Sequence, residues 1–206
     1  METLFEPYTF YSGLDISLEI MAVVFAIASV LYSKKNNIKV YPTGVVSTLI
    51  FVYLLYKWNL YGDMIINAYY FVMSLYGWYL WSKPASDKNA ALVISKTNPR
   101  DYKRSALIFI AAVAMITGVY IYFDKFGIWW SYIDILTTGL FFVGMYLLAK
   151  RKVEHWLFLI AGDFISIPLY YFKGYAITSA LFLIYTIIAI FGYLEWKKNW
   201  STTPQH

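Results

Sequence analysis

The sequence predicts an all-α integral membrane protein of seven transmembrane helices, and three observations carry that prediction. Of 206 residues, 60% are hydrophobic and 14% are charged, where a soluble domain carries about a quarter charged residues. Seven apolar stretches approach the roughly 20 residues needed to cross a bilayer core. Lys and Arg gather almost wholly in the connections on one side of those stretches.

Taken in order, the predicted spans are 16–33, 41–56, 64–81, 105–123, 132–149, 156–172 and 175–196. Segment 1–14 holds Glu2 and Glu6 and lacks a basic start, so it does not read as a cleaved signal peptide. Short polar connections end the helices: Lys34-Lys35-Asn36-Asn37, Lys57-Trp58-Asn59, Lys150-Arg151-Lys152 and Lys173-Gly174. Only 83–104 is long; it holds Pro84 and Pro99 and reads as a linker between two halves.

Of the 17 basic residues, Lys34, Lys35, Lys39, Lys83, Lys88, Lys96, Arg100, Lys103, Arg104, Lys150, Arg151, Lys152, Lys197 and Lys198 fall on one side. The other side has Lys57, Lys125 and Lys173. Positive charge stays in the cytoplasm, which puts the N-terminus outside and the C-terminus inside. With the basic residues placed by topology, the net charge of +5 gives no reason to expect a nucleic-acid partner; the lipid bilayer is the partner.

A shift of 115 positions aligns helices one to three with five to seven without a gap. Glu19 meets Asp134, Lys35 meets Lys150, Thr48 meets Asp163, Tyr56 meets Tyr171, Tyr70 meets Tyr185, Gly77 meets Gly192 and Trp81 meets Trp196. The predicted organisation is a three-helix repeat over 15–83, a linker with an inverting fourth helix over 84–130, and a second repeat over 131–198. Three is an odd number, so the extra helix restores direction and makes a parallel 3+1+3 repeat. Such repeats favour a transporter with its site at the midplane between the halves.

An ionisable residue at membrane depth is a functional hypothesis by default. Asp163 lies in the middle of the sixth span, with Thr48 as its repeat mate. Tyr70 and Tyr185 fall at similar depth, and Asn67 lies one turn from Tyr70. A carboxylate between aromatic faces suits a ligand with a fixed positive charge. The competing structural reading makes Asp163 a protonated or hydrogen-bonded packing group; a role in proton coupling is a third. Glu19 and Asp134 are candidate entrance acids, or solvated carboxylates at helix starts. Trp156 either gates the path or anchors its helix. Trp58, Trp78, Trp81, Trp129, Trp130 and Trp196, near span ends, read as an interfacial belt.

No Gly-x-x-x-x-Gly-Lys-Ser/Thr phosphate loop occurs, His155 and His206 stand apart, and there is no cysteine. Neither an enzyme nor a cofactor or metal site is predicted. The seventh span has no lysine before Lys197, which argues against a retinal Schiff base.

Several strings bring a family into view: Leu60-Tyr61-Gly62-Asp63, Leu75-Tyr76-Gly77-Trp78, Ile165-Ser166-Ile167-Pro168-Leu169-Tyr170 and Gly192-Tyr193-Leu194-Glu195-Trp196-Lys197-Lys198. Through these the chain resembles, over nearly its whole length, the PnuC family of bacterial vitamin transporters. The resemblance implies a SWEET-like fold, a homotrimer, and facilitated diffusion across the inner membrane. It also implies a cytoplasmic kinase that traps the imported vitamin. Nicotinamide riboside members carry Trp-x-x-x-Asn in the sixth helix, where this chain has Leu159 and Asp163. That departure resembles the thiamine branch, so the expected substrate is thiamine, with nicotinamide riboside as the alternative. A membrane receptor that binds without transporting is the reading from another class.

Overall fold

The computed structural model describes residues 12–83, 92–124, 126 and 129–202. Seven helices run through them: α1 (Gly13–Lys34), α2 (Val40–Lys57), α3 (Tyr61–Trp81), α4 (Pro99–Tyr122), α5 (Trp130–Ala149), α6 (His155–Phe172) and α7 (Ala176–Thr202). Six are long and apolar enough to cross a membrane. The exception is α3, whose 21 residues suffice in length. Its Asp63, Asn67, Tyr and Trp side chains dilute its hydropathy, because it carries interfacial and polar chemistry rather than plain aliphatics.

The burial pattern is that of a lipid-embedded bundle. Ile20, Val24, Leu107, Ile110, Ile121 and Phe191 face outward, while Ser47, Ser74, Thr137, His155, Asp163 and Ser166 are buried. Apolar side chains gain nothing by leaving lipid, whereas polar ones must find partners inside. The chain is a multi-pass helical membrane protein.

Caps explain several boundaries. Ser12 and Asp15 form a reciprocal capping box at the start of α1, and Lys57 reaches Asp15 at 2.7 Å from the end of α2. The fourth helix begins at Pro99, six residues earlier than the apolar run at 105. Asn98 caps it by accepting from the Asp101 amide at 2.8 Å, and Pro suits the first turn because its missing N–H has no partner there. Asp101, in that turn, pairs with Lys152 and accepts from Tyr146. Hydropathy could not see this polar turn.

Residues 84–91 of the predicted linker lie outside the described residues. The rest of it is tied down. Ser95 bridges to Lys152 in parallel, and the Thr97 amide and hydroxyl both donate to Glu154.

Turn geometry recurs along the chain. Asn36 and Arg151 both take left-handed φ values, 49° and 52°, as do Asn59 at 59° and Gly174 at 86°. The Asn37 amide donates to the Tyr32 carbonyl and the Lys152 amide to the Leu147 carbonyl, each at 2.9 Å. The same bond follows α2 and α6: Leu60 to Leu55 and Tyr175 to Tyr170, again at 2.9 Å. Arg151 is the costly member, since a side chain with a Cβ disfavours that region. Its guanidinium lies 3.9 Å from the Trp81 ring and donates to the Leu92 carbonyl.

Helix α2 packs between α1 and α3, and α6 between α5 and α7. The two groups meet where α1 touches α7 and where α3 touches α5, while α4 lies against α5.

Candidate functional site

A cavity of about 1210 Å³ lies between the two helix groups. Its lining runs from the end carrying Trp58, Leu60, Asp124, Trp130 and Lys173 down to Val40, Tyr41, Leu148 and Trp156. The first end holds the connections poor in Lys and Arg. At the second end, beside the basic connections, Val40, Tyr41, Leu148 and Trp156 are all buried, which makes it the closed end.

Asp163, Tyr70, Tyr185, Asn67 and Thr48 all line this one cavity, brought together from α6, α3, α7 and α2. Asp163 is 6% exposed and makes no ion pair or hydrogen bond with the described residues. Tyr70 and Tyr185 lie within electrostatic reach of its carboxylate. Aromatic rings continue around it: Phe141 stacks on Phe182, Tyr170 lies 5.0 Å from Phe182, and Tyr70 meets Phe142 edge-on at 5.9 Å. Phe142 is itself stacked at 3.7 Å on Tyr69, whose hydroxyl donates to the Phe142 carbonyl.

Hydrogen bonding narrows two of these residues. Thr48 donates its hydroxyl proton to the Gly44 carbonyl at 2.8 Å, so toward the cavity it can only accept. Asn67 spends one amide proton on the Asp63 carbonyl at 3.0 Å.

The two candidate entrance acids part company. Asp134 lines the cavity but is bonded by Lys173 and by the Tyr120 hydroxyl at 3.0 Å, so its charge is already countered. Glu19, partly buried on α1, is not among the lining residues.

Trp156 sits at the closed end, fully buried. A Cβ on Gly192 would come within 2.5 Å of its ring, just as one on Gly77 would come within 2.2 Å of Tyr41. Two tryptophans read as interfacial are not. Trp81 and Trp196 are buried at 7% and 0% exposure. The Trp81 indole donates to the Ala149 carbonyl at 3.2 Å, and Trp196 to the Ser33 and Lys34 carbonyls at 2.9 and 3.2 Å. Those carbonyls belong to the last turns of α5 and α1, where helix carbonyls run out of intrahelical donors; the Ser33 carbonyl also accepts from the Asn36 amide at 2.9 Å. Each indole therefore caps a helix of the opposite group. Trp78 and Trp129 do face outward.

Sequence reasoning missed the role of Asp63, Tyr120, Thr138, Ser166, Tyr170 and Lys173 in lining the cavity. Ser166 was findable, because it lies three residues beyond Asp163 and so on the same face of α6.

The family model described as nicotinamide mononucleotide transporter matches residues 16–198. The chain belongs to this family, the PnuC transporters. It is 23% identical to the nicotinamide riboside transporter PnuC of Escherichia coli K12, over 91% of this chain and 88% of that protein. The PnuC of Neisseria mucosa, also named a nicotinamide riboside transporter, is 27% identical over 89% of this chain and 73% of its own length. The riboflavin/roseoflavin transporter RibM of Streptomyces davaonensis is 26% identical, over 79% and 76%. Among solved structures, the vitamin B3 transporter PnuC superimposes with a TM-score of 0.63 at 24% identity, covering 90% of this chain and 83% of that one. The fold is thus that of a PnuC transporter.

Proposed function

We propose that this protein passes a small cationic vitamin across the inner membrane by alternating access, and that the vitamin is nicotinamide riboside. The observation that carries the cationic part is Asp163: a buried carboxylate without a counter-charge among the described residues, in a cavity with ample room for a vitamin that Tyr70 and Tyr185 also line. Leaving it unpaired is costly, and a fixed pyridinium cation repays that cost while stacking on tyrosine faces. Two relatives named for nicotinamide riboside, matched over about nine-tenths of this chain, favour that vitamin over the thiamine expected from sequence. Thiamine remains the second reading, because Leu159 lines the cavity where nicotinamide riboside members carry an indole. Riboflavin has no fixed positive charge to pair with Asp163.

The 3+1+3 parallel repeat is part of the proposal. Its support is the recurrence, at 115 positions, of the left-handed turns, the Gly77–Tyr41 and Gly192–Trp156 packing, and the indole caps on Ala149 and Lys34. In this reading the caps latch the basic, cytoplasmic end shut while the cavity faces outside. The outside N-terminus, the trimer and the trapping kinase belong to the same proposal.

Uptake into sealed proteoliposomes tests it. We expect saturable entry of nicotinamide riboside without ATP. Ligand that binds but never enters the lumen would instead make the protein a receptor.

A further inference from the structure

We propose that Ser166 is a specificity-determining residue, which together with Asp163 reads an amide or amidine edge on the vitamin. This inference rests on the proposed transport of a cationic vitamin and names the second group by which the site would know it.

The Ser166 hydroxyl is 99% withdrawn from solvent as a residue, lines the cavity, and has no hydrogen-bond partner among the described residues. Ser105 shares that state but lies outside the cavity, and several other hydroxyls of the bundle are spent on carbonyls. Thr48, Thr137 and Thr186 donate back to their own helices, while Ser47 and Ser179 donate to the Ala22 and Ile167 carbonyls. A serine in a helix normally does the same. Ser33 is another lining hydroxyl without a partner, but it sits at the closed end. A buried hydroxyl with no partner carries a desolvation penalty that a ligand can relieve.

The chemistry of the pair is complementary. Ionised Asp163 can only accept, whereas Ser166 has a proton to give. Three residues apart on a helix, their Cβ atoms are about 5–6 Å apart. Two hydrogen bonds of about 2.9 Å that diverge from one planar edge span a similar distance. The group that fits has an N–H donor for Asp163 beside a carbonyl oxygen or ring nitrogen for Ser166. The carboxamide of nicotinamide riboside and the aminopyrimidine of thiamine both have that edge. A carboxylate in the same place has no proton for Asp163 and is repelled by it.

The test compares matched ligand pairs on purified wild-type protein and Ser166→Ala: nicotinamide riboside against pyridinium riboside lacking the carboxamide, and thiamine against its 4′-desamino analogue. We expect Ser166→Ala to weaken the edge-bearing member of the bound pair by about five- to tenfold, the loss of one neutral hydrogen bond. Its edge-lacking partner should be unchanged. Thermal stability of the ligand-free variant should hold or rise, because a methyl replaces an unsatisfied hydroxyl; a structural serine would lower it. Equal weakening of both members, or of neither, overturns the role of Ser166 and leaves the transport reading standing. Wild-type protein that binds neither pair overturns both.

Discussion

Replacing both capping indoles by phenyl rings should open the basic end of the cavity. Trp81→Phe and Trp196→Phe keep a large buried ring and delete the N–H that reaches the Ala149, Ser33 and Lys34 carbonyls. Once the end opens, those carbonyls can take water, so each deletion costs only the net worth of a hydrogen bond, about 1 kcal/mol. At about 1.4 kcal/mol per tenfold change, one replacement shifts the closed-to-open ratio roughly fivefold, and the pair about 25- to 30-fold if the two add. The chain has no cysteine, so a single reporter can be placed cleanly. Val40→Cys suits, since Val40 is 4% exposed and lines the closed end. Labelling by a membrane-impermeant maleimide in inside-out vesicles should speed up fivefold in each single variant and by the product in the double. Labelling that stays at the wild-type rate would refute the latch. So would faster labelling accompanied by a matching fall in melting temperature, because general loosening would then explain it.

Further outcomes follow from the same geometry. Asp163→Asn should weaken a cationic vitamin by about 1–3 kcal/mol, or roughly fivefold to a little over a hundredfold, while sparing a neutral analogue in the same calorimetric titration. Unchanged affinity in a folded variant would make Asp163 a packing residue. Gly192→Ala and Gly77→Ala should each cost about 1–3 kcal/mol in thermal unfolding, because the new methyl meets the buried Trp156 or Tyr41 ring. Gly118→Ala, on an exposed stretch of α4 with nothing within 4 Å, should instead stabilise by up to about 1 kcal/mol.

Much of the fold was legible because membrane constraints are written locally. Each span needs a run of apolar residues, and each turn leaves its stop residues, so spans, connections and the distribution of basic charge could be counted. The mid-span positions of Asp163, Tyr70 and Tyr185 could be counted from the helical rise, and all three line the cavity. Where chemistry was polar at a helix start, counting failed: the Asn98–Arg104 turn of α4 is held by a cap and by Asp101 pairing with Lys152, neither of which hydropathy registers.

By itself, then, the sequence determined a multi-pass helical bundle with an acid at membrane depth and a 115-residue register of matching residues. The tertiary structure decided which polar groups are spent and which are left. It gave Asp134 to Lys173 and Tyr120, turned the Thr48 proton back to its own helix, and moved Trp81 and Trp196 from the lipid boundary to the ends of opposing helices. Among the described residues, it left the Asp163 carboxylate and the Ser166 hydroxyl without partners inside one cavity. The reason is that hydropathy and spacing are properties of a segment, whereas a hydrogen-bond partner is chosen between segments that only folding brings together.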